Sequence, residues 1–199
     1  MRGVGKSGWL RRAWNCLRRT EGTQLVELAV TLPLLVVMVV GIFDFGGAYN
    51  LKQKLSMTAR EGARFAASSA TGDLANPGTP DSVLAIRDLV DRDLVAAKVN
   101  DCGLGTRPGV TAANTLKWTF TTTGGSGCPG ILTLTVERSY DFLATVTGGG
   151  TIHVISTRVT ISYPYSWQFG NVIGLLAPGA NYAKGVSQIT GLSIIPNMD

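Results

Sequence analysis

The sequence is poor in charged residues. Only 16% of its 199 residues are Asp, Glu, Lys or Arg, whereas 45% are hydrophobic and the mean hydropathy is +0.20. Ordinary soluble domains contain about a quarter charged residues, and disordered chains are more polar still. The net charge of +5 lies entirely within residues 1–22, and the remainder of the chain is electrically balanced. This distribution excludes a disordered chain and a basic, nucleic-acid-binding body.

Motifs that carry enzyme chemistry are also missing. The chain has one histidine, His153, and lacks the patterns G-x-S-x-G, H-E-x-x-H and Walker A; the glycine-rich run 123–127 has no following lysine. Acid–base catalysis needs a base beside a nucleophile and an orienting acid. We therefore predict a protein that is not an enzyme and uses no cofactor or metal. A secreted hydrolase stays open as an alternative, and a pocket around His153 with an acid and a serine would favour it.

Cysteine is scarce, with three residues in the chain. Cys16 lies among the N-terminal arginines, whereas Cys102 and Cys128 lie in glycine-rich segments. No C-x-x-C spacing occurs, which argues against a redox pair, and two cysteines with one distant histidine are too few for a metal site. In an oxidising compartment Cys102 and Cys128 are expected to form a disulfide, worth about 3–4 kcal/mol on the chain-entropy model.

What the sequence does contain is one long apolar run. Residues 23–43 include a single charged side chain, Glu27, and arginines precede the run at positions 11, 12, 18 and 19. About 20 apolar residues suffice to span a bilayer as a helix, and flanking positive charge stays cytoplasmic. We predict a membrane helix with its N-terminus inside. Two alternatives remain: the buried helix of a soluble protein, and a secretory signal peptide cut near Gly46-Gly47-Ala48.

The boundary between the basic segment and the apolar run is distinctive. Gly22 ends the basic segment, and Glu27 lies five positions later at the start of the apolar helix. This arrangement resembles the type III signal of type IV pilins and pseudopilins, which prepilin peptidase cuts after the glycine. The resemblance implies cleavage between Gly22 and Thr23. A carboxylate in hydrocarbon is costly, so we expect Glu27 to pair with the Thr23 amine of a neighbouring subunit in a filament.

Three further segments narrow the family. Glu27-Leu-Ala-Val-Thr-Leu-Pro-Leu, then Gly41-Ile-Phe-Asp-Phe-Gly46, then Ala59-Arg-Glu-Gly-Ala-Arg64 resemble the TadE-like pseudopilins of the Tad (Flp, type IVc) pilus system. Asp44 stands where that family more often has glutamate. The resemblance implies membrane, prepilin peptidase, other Tad pilins and the pilus assembly machinery as partners. The residues that match the motif are Pro33, Gly41, Asp44, Gly46, Arg60, Glu61, Gly62 and Arg64.

The periodicity of the remaining chain predicts an α+β fold. A helix over 23–70, with an apolar stripe at Leu51, Leu55, Thr58, Gly62 and Phe65, is expected to pack on a small antiparallel sheet. Asp81 is expected to cap a second helix that ends near Lys98. Alternating or β-branched runs predict strands at 115–122, 132–136, 139–146 and 151–163, with a glycine turn at 148–150 and a final strand near 192–195.

These features predict three parts: a basic prepilin leader (1–22), a transmembrane and stalk helix (23–70), and an extracytoplasmic α+β domain (71–199). The function expected from the resemblance is that of a minor pilin or pseudopilin in the bacterial inner membrane, with its C-terminal domain periplasmic. The charges of Arg60, Glu61 and Arg64 are interpreted as a solvated face. A membrane-tethered adhesin is the other alternative, and it would be favoured by an exposed aromatic patch at Tyr163, Tyr165, Trp167 and Phe169.

Overall fold

A computed structural model describes residues 21–75, 78–106, 108–113, 116–124, 127–167 and 186–198. The described residues belong to two compact units, one containing residues 21–43 and the other containing residues 44–167 and 186–198. The predicted leader, residues 1–22, lies outside the described part except for its last two positions. The architecture is α+β, as predicted, with a long N-terminal helix and an antiparallel sheet.

The first helix, α1, runs without a break from Glu21 to Ser68. This agrees with the predicted helix over 23–70 within two residues at each end. Pro33 lies inside α1, although proline removes one backbone hydrogen bond from a helix interior. Gly46 and Gly47 are also helical, so these two glycines do not interrupt the stalk.

The second helix, α2, comprises Asp81–Ala96, and a short 3-10 helix follows at Leu104–Thr106. The prediction that Asp81 caps α2 is wrong, because the N-cap is Pro80 and makes no side-chain cap bond. The carboxylate that serves the first turn comes from Asp73 instead. Its Oδ2 accepts the Ser82 backbone N–H at 2.7 Å and its Oδ1 accepts the Ser82 hydroxyl at 3.0 Å. The same hydrogen bonds lower the pKa of Asp73.

Five strands form one antiparallel sheet whose spatial order equals the chain order. They are β1 (Gly109–Ala113), β2 (Lys117–Thr121), β3 (Thr133–Val146), β4 (Gly150–Ser166) and β5 (Val186–Pro196). The two strands predicted at 132–136 and 139–146 form a single strand, β3. Its pairing with β4 shifts register at a bulge between Glu137 and Tyr140. The glycine turn between β3 and β4 is confirmed, with positive φ at Gly148 and Gly149. Strand β1 was not predicted.

The core lies where α1 and α2 meet one face of the sheet. The packed face of α1 consists mainly of small residues, namely Ala59, Ala63 and Ala66, together with Leu55. The other contributions are Val83, Ile86, Val90 and Leu94 from α2, and Trp118, Phe120, Leu134, Val136, Val159, Ile161 and Tyr163 from the sheet. The predicted packing of the stalk on the sheet is thus confirmed. Phe65, which was assigned to the packed stripe, is 42% exposed.

Two glycines, Gly62 in α1 and Gly191 in β5, allow neighbouring elements to pack closely on α1. A Cβ at Gly62 would lie 3.0 Å from Val90 Cγ2, so α2 packs directly over the α1 backbone there. A Cβ at Gly191 of β5 would lie 2.5 Å from the Leu55 carbonyl carbon. No side chain fits at such a distance. Strand β5 therefore crosses α1 where only glycine is tolerated.

The predicted disulfide is present between Cys102 and Cys128, with a sequence separation of 26. It ties the segment that follows α2 to the segment that precedes β3. Cys102 is buried in the core and has a φ of 53°. Its backbone N–H donates to Asn100 Oδ1 at 2.8 Å, which stabilises this left-handed conformation locally.

Candidate functional site

The first candidate region is the apolar half of α1, residues 22–43. Most large apolar side chains here are exposed; Leu25 is 68%, Leu34 67% and Phe43 77% exposed, whereas Val37 and Val40 are half-buried. At 1.5 Å per residue these 22 residues extend about 33 Å, which is the thickness of a bilayer's hydrocarbon core. Length and composition make α1 a candidate membrane span. An apolar surface of this extent requires lipid or another protein around it.

Glu27 lies on this apolar half, five residues after Gly22. Its side chain is exposed and makes no salt bridge to any residue that the structure describes. Gly22 has no atom within 4 Å of the position of a Cβ, so packing does not require glycine there.

A second group of residues joins α1 to the end of β4. The Tyr165 hydroxyl donates to Asp44 Oδ1 at 3.2 Å and approaches the Asp44 carbonyl oxygen at 3.1 Å. Asp44 is only 6% exposed. Burial, and then the adjacent Asp44 carboxylate, raise the pKa of Tyr165, which keeps the phenol protonated as a donor. We call this group, with Phe45 and Trp167, the Asp44 clasp.

The aromatic members of the Asp44 clasp pack edge to face. The Trp167 ring lies 5.0 Å from the Tyr165 ring and 5.4 Å from the Phe45 ring, centroid to centroid. Tyr163, two residues earlier on the same face of β4, is buried in the core. Three of the four aromatic residues considered as an adhesive patch therefore have internal roles. The fourth, Phe169, lies outside the described residues.

The third candidate region is a cleft of about 340 Å³ between α1 and α2. It is lined by Glu61, Arg64, Phe65 and Ser68 of α1 and by Leu89 and Asp93 of α2. Desolvation, and then the nearby charge of Glu61, raise the pKa of Asp93. The cleft is lined by two carboxylates, Glu61 and Asp93, by the Arg64 guanidinium and by the apolar side chains of Phe65 and Leu89.

The motif residues 60–64 divide into two roles. Gly62 faces the core, where the space between α1 and Val90 excludes a larger residue. Arg60, Glu61 and Arg64 are exposed and form no salt bridge within the described part of the chain. The solvated face expected for these charges agrees with their exposure in the single chain.

The only histidine lies on the β3–β4 hairpin. His153 Nδ1 is 2.6 Å from Asp141 Oδ2, and the two side chains are 65% and 50% exposed. The pair is therefore exposed to solvent on the surface of the hairpin. Active sites for acid–base catalysis usually enclose the reacting groups and exclude water. Among the described residues no group of metal-ligating side chains is found.

The sequence analysis did not identify the structural roles of two residues, Arg138 and Tyr165. Arg138 is 2% exposed, and its Nη2 donates to the Ser69 carbonyl at 3.0 Å, just beyond the end of α1. Burial lowers its pKa. Tyr165 as the partner of Asp44 was also missed. The two residues are 121 positions apart, and the available signal was that Tyr165 follows Tyr163 at the period of a strand face.

A family model of TadE-like proteins matches residues 22–64. The match spans every motif residue from Gly22 to Arg64, so the resemblance inferred from the sequence is confirmed for this segment. Neither the curated proteins nor the solved structures contain a match to the chain. The α2 and sheet portion therefore has to be interpreted from its own contacts.

Proposed function

We propose that this chain is a membrane-inserted pseudopilin, or minor pilin, of the TadE-like type that takes part in assembling a Tad (Flp) pilus. Prepilin peptidase cuts it after Gly22, so the mature chain begins at Thr23. It is anchored in the bacterial inner membrane by one helix, with its N-terminus cytoplasmic and its C-terminal unit periplasmic. Its role is structural and requires no catalytic residue or cofactor.

The observation that carries this proposal is the coincidence of two properties on α1. The segment that matches the TadE-like family model, residues 22–64, contains the whole exposed apolar segment 22–43. Before assembly, lipid would cover this apolar surface. In a filament, helices of neighbouring subunits would cover it, and Glu27 would then pair with a neighbour's Thr23 amine, because an unpaired carboxylate is costly in an apolar environment.

The second half of the matched segment supports the same proposal in a different way. Asp44 and Gly62 hold α1 against β4 and α2, respectively. Two of the matched motif residues therefore pack the second half of α1 on the sheet and on α2. Such packing is expected of a pseudopilin, in which the second half of the stalk helix contributes to the core of the outer domain.

The alternatives receive less support from the contacts. Tyr165 and Trp167 belong to the Asp44 clasp, which weakens the adhesin interpretation. The exposed His153–Asp141 pair lacks an enclosing pocket, which weakens the hydrolase interpretation.

The proposal is tested by counting pili on cells that lack the gene. Expression of the unaltered chain is expected to restore pili, whereas the Gly22→Asp variant is expected to restore none, because the precursor stays uncut. Gly72→Asp is the matched control. Gly72 is exposed and a Cβ there meets no atom within 4 Å, so this variant should restore pili fully.

Two results would contradict the proposal. One is normal piliation of cells without the gene, which would remove the chain from pilus assembly. The other is full restoration by Gly22→Asp with an uncut chain, which would make processing irrelevant to the role.

A further inference from the structure

The far end of the β3–β4 hairpin is a two-stranded ribbon, which we define as residues Tyr140–Val146 and Gly150–Val154. Strand β2 pairs with β3 only up to Glu137, and β5 pairs with β4 only from Ser156 onward. Among the described residues, neither outer edge of this ribbon therefore has a neighbouring strand. Isolated two-stranded ribbons are marginally stable in water, so the ribbon is the part of the sheet that gains most from a partner.

The ribbon exposes apolar side chains to an unusual degree. Phe142, Leu143, Val146 and Ile152 are 42%, 58%, 45% and 51% exposed. One of its faces carries Tyr140, Phe142, Ala144, Val146, Ile152 and Val154 and has no Asp, Glu, Lys, Arg or His within the ribbon. Soluble monomers rarely leave such a surface uncovered.

The free edges also lack the residues that normally protect an edge strand. Natural edges are blocked by lysine, proline or charges that disfavour pairing. The ribbon contains no lysine and no proline, and its Asp141 carboxylate is 2.6 Å from His153 Nδ1 on the other strand. Asp141 is therefore the one acidic residue on these edges, and it already has a hydrogen-bonding partner within the ribbon.

The direction of the free backbone groups follows from one hydrogen bond. The Asn197 N–H donates to the Ile155 carbonyl at 3.1 Å, so the backbone groups of Ile155 point away from β3. Because this direction alternates along a strand, the backbone groups of Thr151 and His153 also point outward. On β3, Leu143 pairs with His153 and Thr145 pairs with Thr151. The backbone groups of Leu143 and Thr145 therefore point away from β4, toward the free edge of β3.

From these features we infer that the ribbon is a docking edge for a second copy of this chain, with the β3 edge of one copy paired to the β4 edge of the next. The two edges run in opposite directions, so a copy displaced sideways in the same orientation offers an antiparallel strand. At equal height, Leu143 faces His153 of the neighbour and Thr145 faces its Thr151. These are all residues with outward backbone groups, so each pair can exchange both N–H···O bonds.

Side-chain chemistry fits the same arrangement. Phe142 falls opposite Val154 of the neighbour and Ala144 opposite its Ile152, which extends the uncharged face across the junction and forms an aromatic–β-branched pair. Asp141 lies diagonal to the neighbour's His153, so no like charges oppose one another. A pairing of unlike edges does not close on itself and yields an open array. The two copies have the same orientation only if both are inserted in the membrane in the same direction, so this inference rests on the proposed function.

The experiment uses the full chain in membranes with two epitope tags, in a Cys16→Ser background, so that Cys102 and Cys128 remain in their disulfide. Cells co-express Leu143→Cys on one tag and His153→Cys on the other. Facing residues in a hydrogen-bonded antiparallel pair have Cα atoms about 5.5 Å apart, which a disulfide spans. Mild oxidation is expected to give a crosslinked dimer that carries both tags. Thr145→Cys with Thr151→Cys is expected to do the same.

Two control experiments place cysteines elsewhere on the same ribbon, one on opposite faces and one on identical edges of the two copies. Leu143→Cys expressed with Ile152→Cys should crosslink far less, because neighbouring side chains on a strand point to opposite faces. Leu143→Cys expressed alone under both tags should give no dimer. Absence of the mixed dimer in both pairs, or a dominant Leu143→Cys dimer with itself, would overturn the inference.

The result also separates this inference from the proposed function. If the chain is in the membrane fraction and its N-terminus is Thr23 but no mixed dimer forms, the pseudopilin proposal stands and the docking edge is wrong. If the mixed dimer forms on a chain that is neither inserted nor cut after Gly22, the edge is correct and the proposed function fails.

Discussion

The two halves of α1 share one continuous helix but meet opposite surroundings. Leu35 in the first half is 61% exposed, whereas Leu55 in the second half is fully buried. The first half carries large apolar residues all around the helix. In the second half, the face that packs on the sheet and α2 consists mainly of alanine and glycine, namely Ala59, Gly62, Ala63 and Ala66. The comparison shows that the sheet approaches the helix closely where the helix carries small residues, whereas most large apolar side chains of residues 22–43 are exposed.

The largest expected effect comes from making the same substitution in both halves. Leu55→Ala should reduce the free energy of unfolding of the unit that contains residues 44–167 by about 2–5 kcal/mol, because it leaves a cavity in a packed core. Leu35→Ala should leave that free energy unchanged. Urea unfolding of the detergent-solubilised chain, followed by tryptophan fluorescence, measures both. Equal losses in the two variants would contradict the distinction between the halves.

Breaking the disulfide should affect only the outer unit. Replacement of Cys102 and Cys128 by alanine together is expected to lower its stability by about 3–4 kcal/mol, the chain-entropy value for a loop of this size. Extraction of the chain from membranes should be unaffected, because residues 22–43 carry no part of the bridge. Cys16→Ala is the control and should change neither property. Release of the double variant from membranes at neutral pH would show that the two regions depend on each other.

Two glycines of α1 provide a finer test. Gly62→Ala should cost about 1–3 kcal/mol through overpacking against Val90. Gly46→Ala, in the same helix, meets no atom within 4 Å and should stabilise the helix by about 0.5–1 kcal/mol through its higher propensity. Thermal unfolding of both variants reports the difference. A gain in stability from Gly62→Ala would mean that α2 does not pack on the α1 backbone as described.

The smallest predicted effect concerns the start of α2 and depends on pH. Asp73→Ala should destabilise the outer unit by about 1 kcal/mol at pH 7, the usual value of a helix cap. Folding lowers the pKa of Asp73 below 3.8, so its contribution is complete above 3.8 and is lost as the pH falls through the lower folded value. The difference between the two chains should therefore vanish in strong acid. Asp81→Ala, which removes an exposed first-turn charge, should cost only a few tenths of a kcal/mol.

Local patterns predicted much of this molecule. The apolar run and its stripe predicted α1, the Gly148–Gly150 turn predicted the hairpin, and two cysteines in an otherwise cysteine-poor outer region predicted the disulfide. Each of these features depends on residues that are close in sequence or on a chemistry with few possible partners.

The features that were missed depend on distant partners. Asp73 replaces Asp81 at the start of α2, Tyr165 bonds Asp44 across 121 positions, and Phe65 stays exposed because α2 covers the neighbouring face of α1. Strand β1 is an edge strand whose short run, Gly109–Ala113, has weak alternation. Such contacts are decided by how the elements pack, which the local periodicity of one sequence does not specify.

The central claim is that residues 23–43 remain in the mature protein as its membrane and filament helix, while the basic segment 1–22 is removed. The most direct test is the N-terminus of the native chain purified from membranes, determined by intact mass and N-terminal peptide sequencing. The account predicts a chain that begins at Thr23 and a Gly22→Asp variant that stays uncut. A mature chain that begins near Tyr49 would mean that the apolar half is a discarded signal peptide and would contradict the claim.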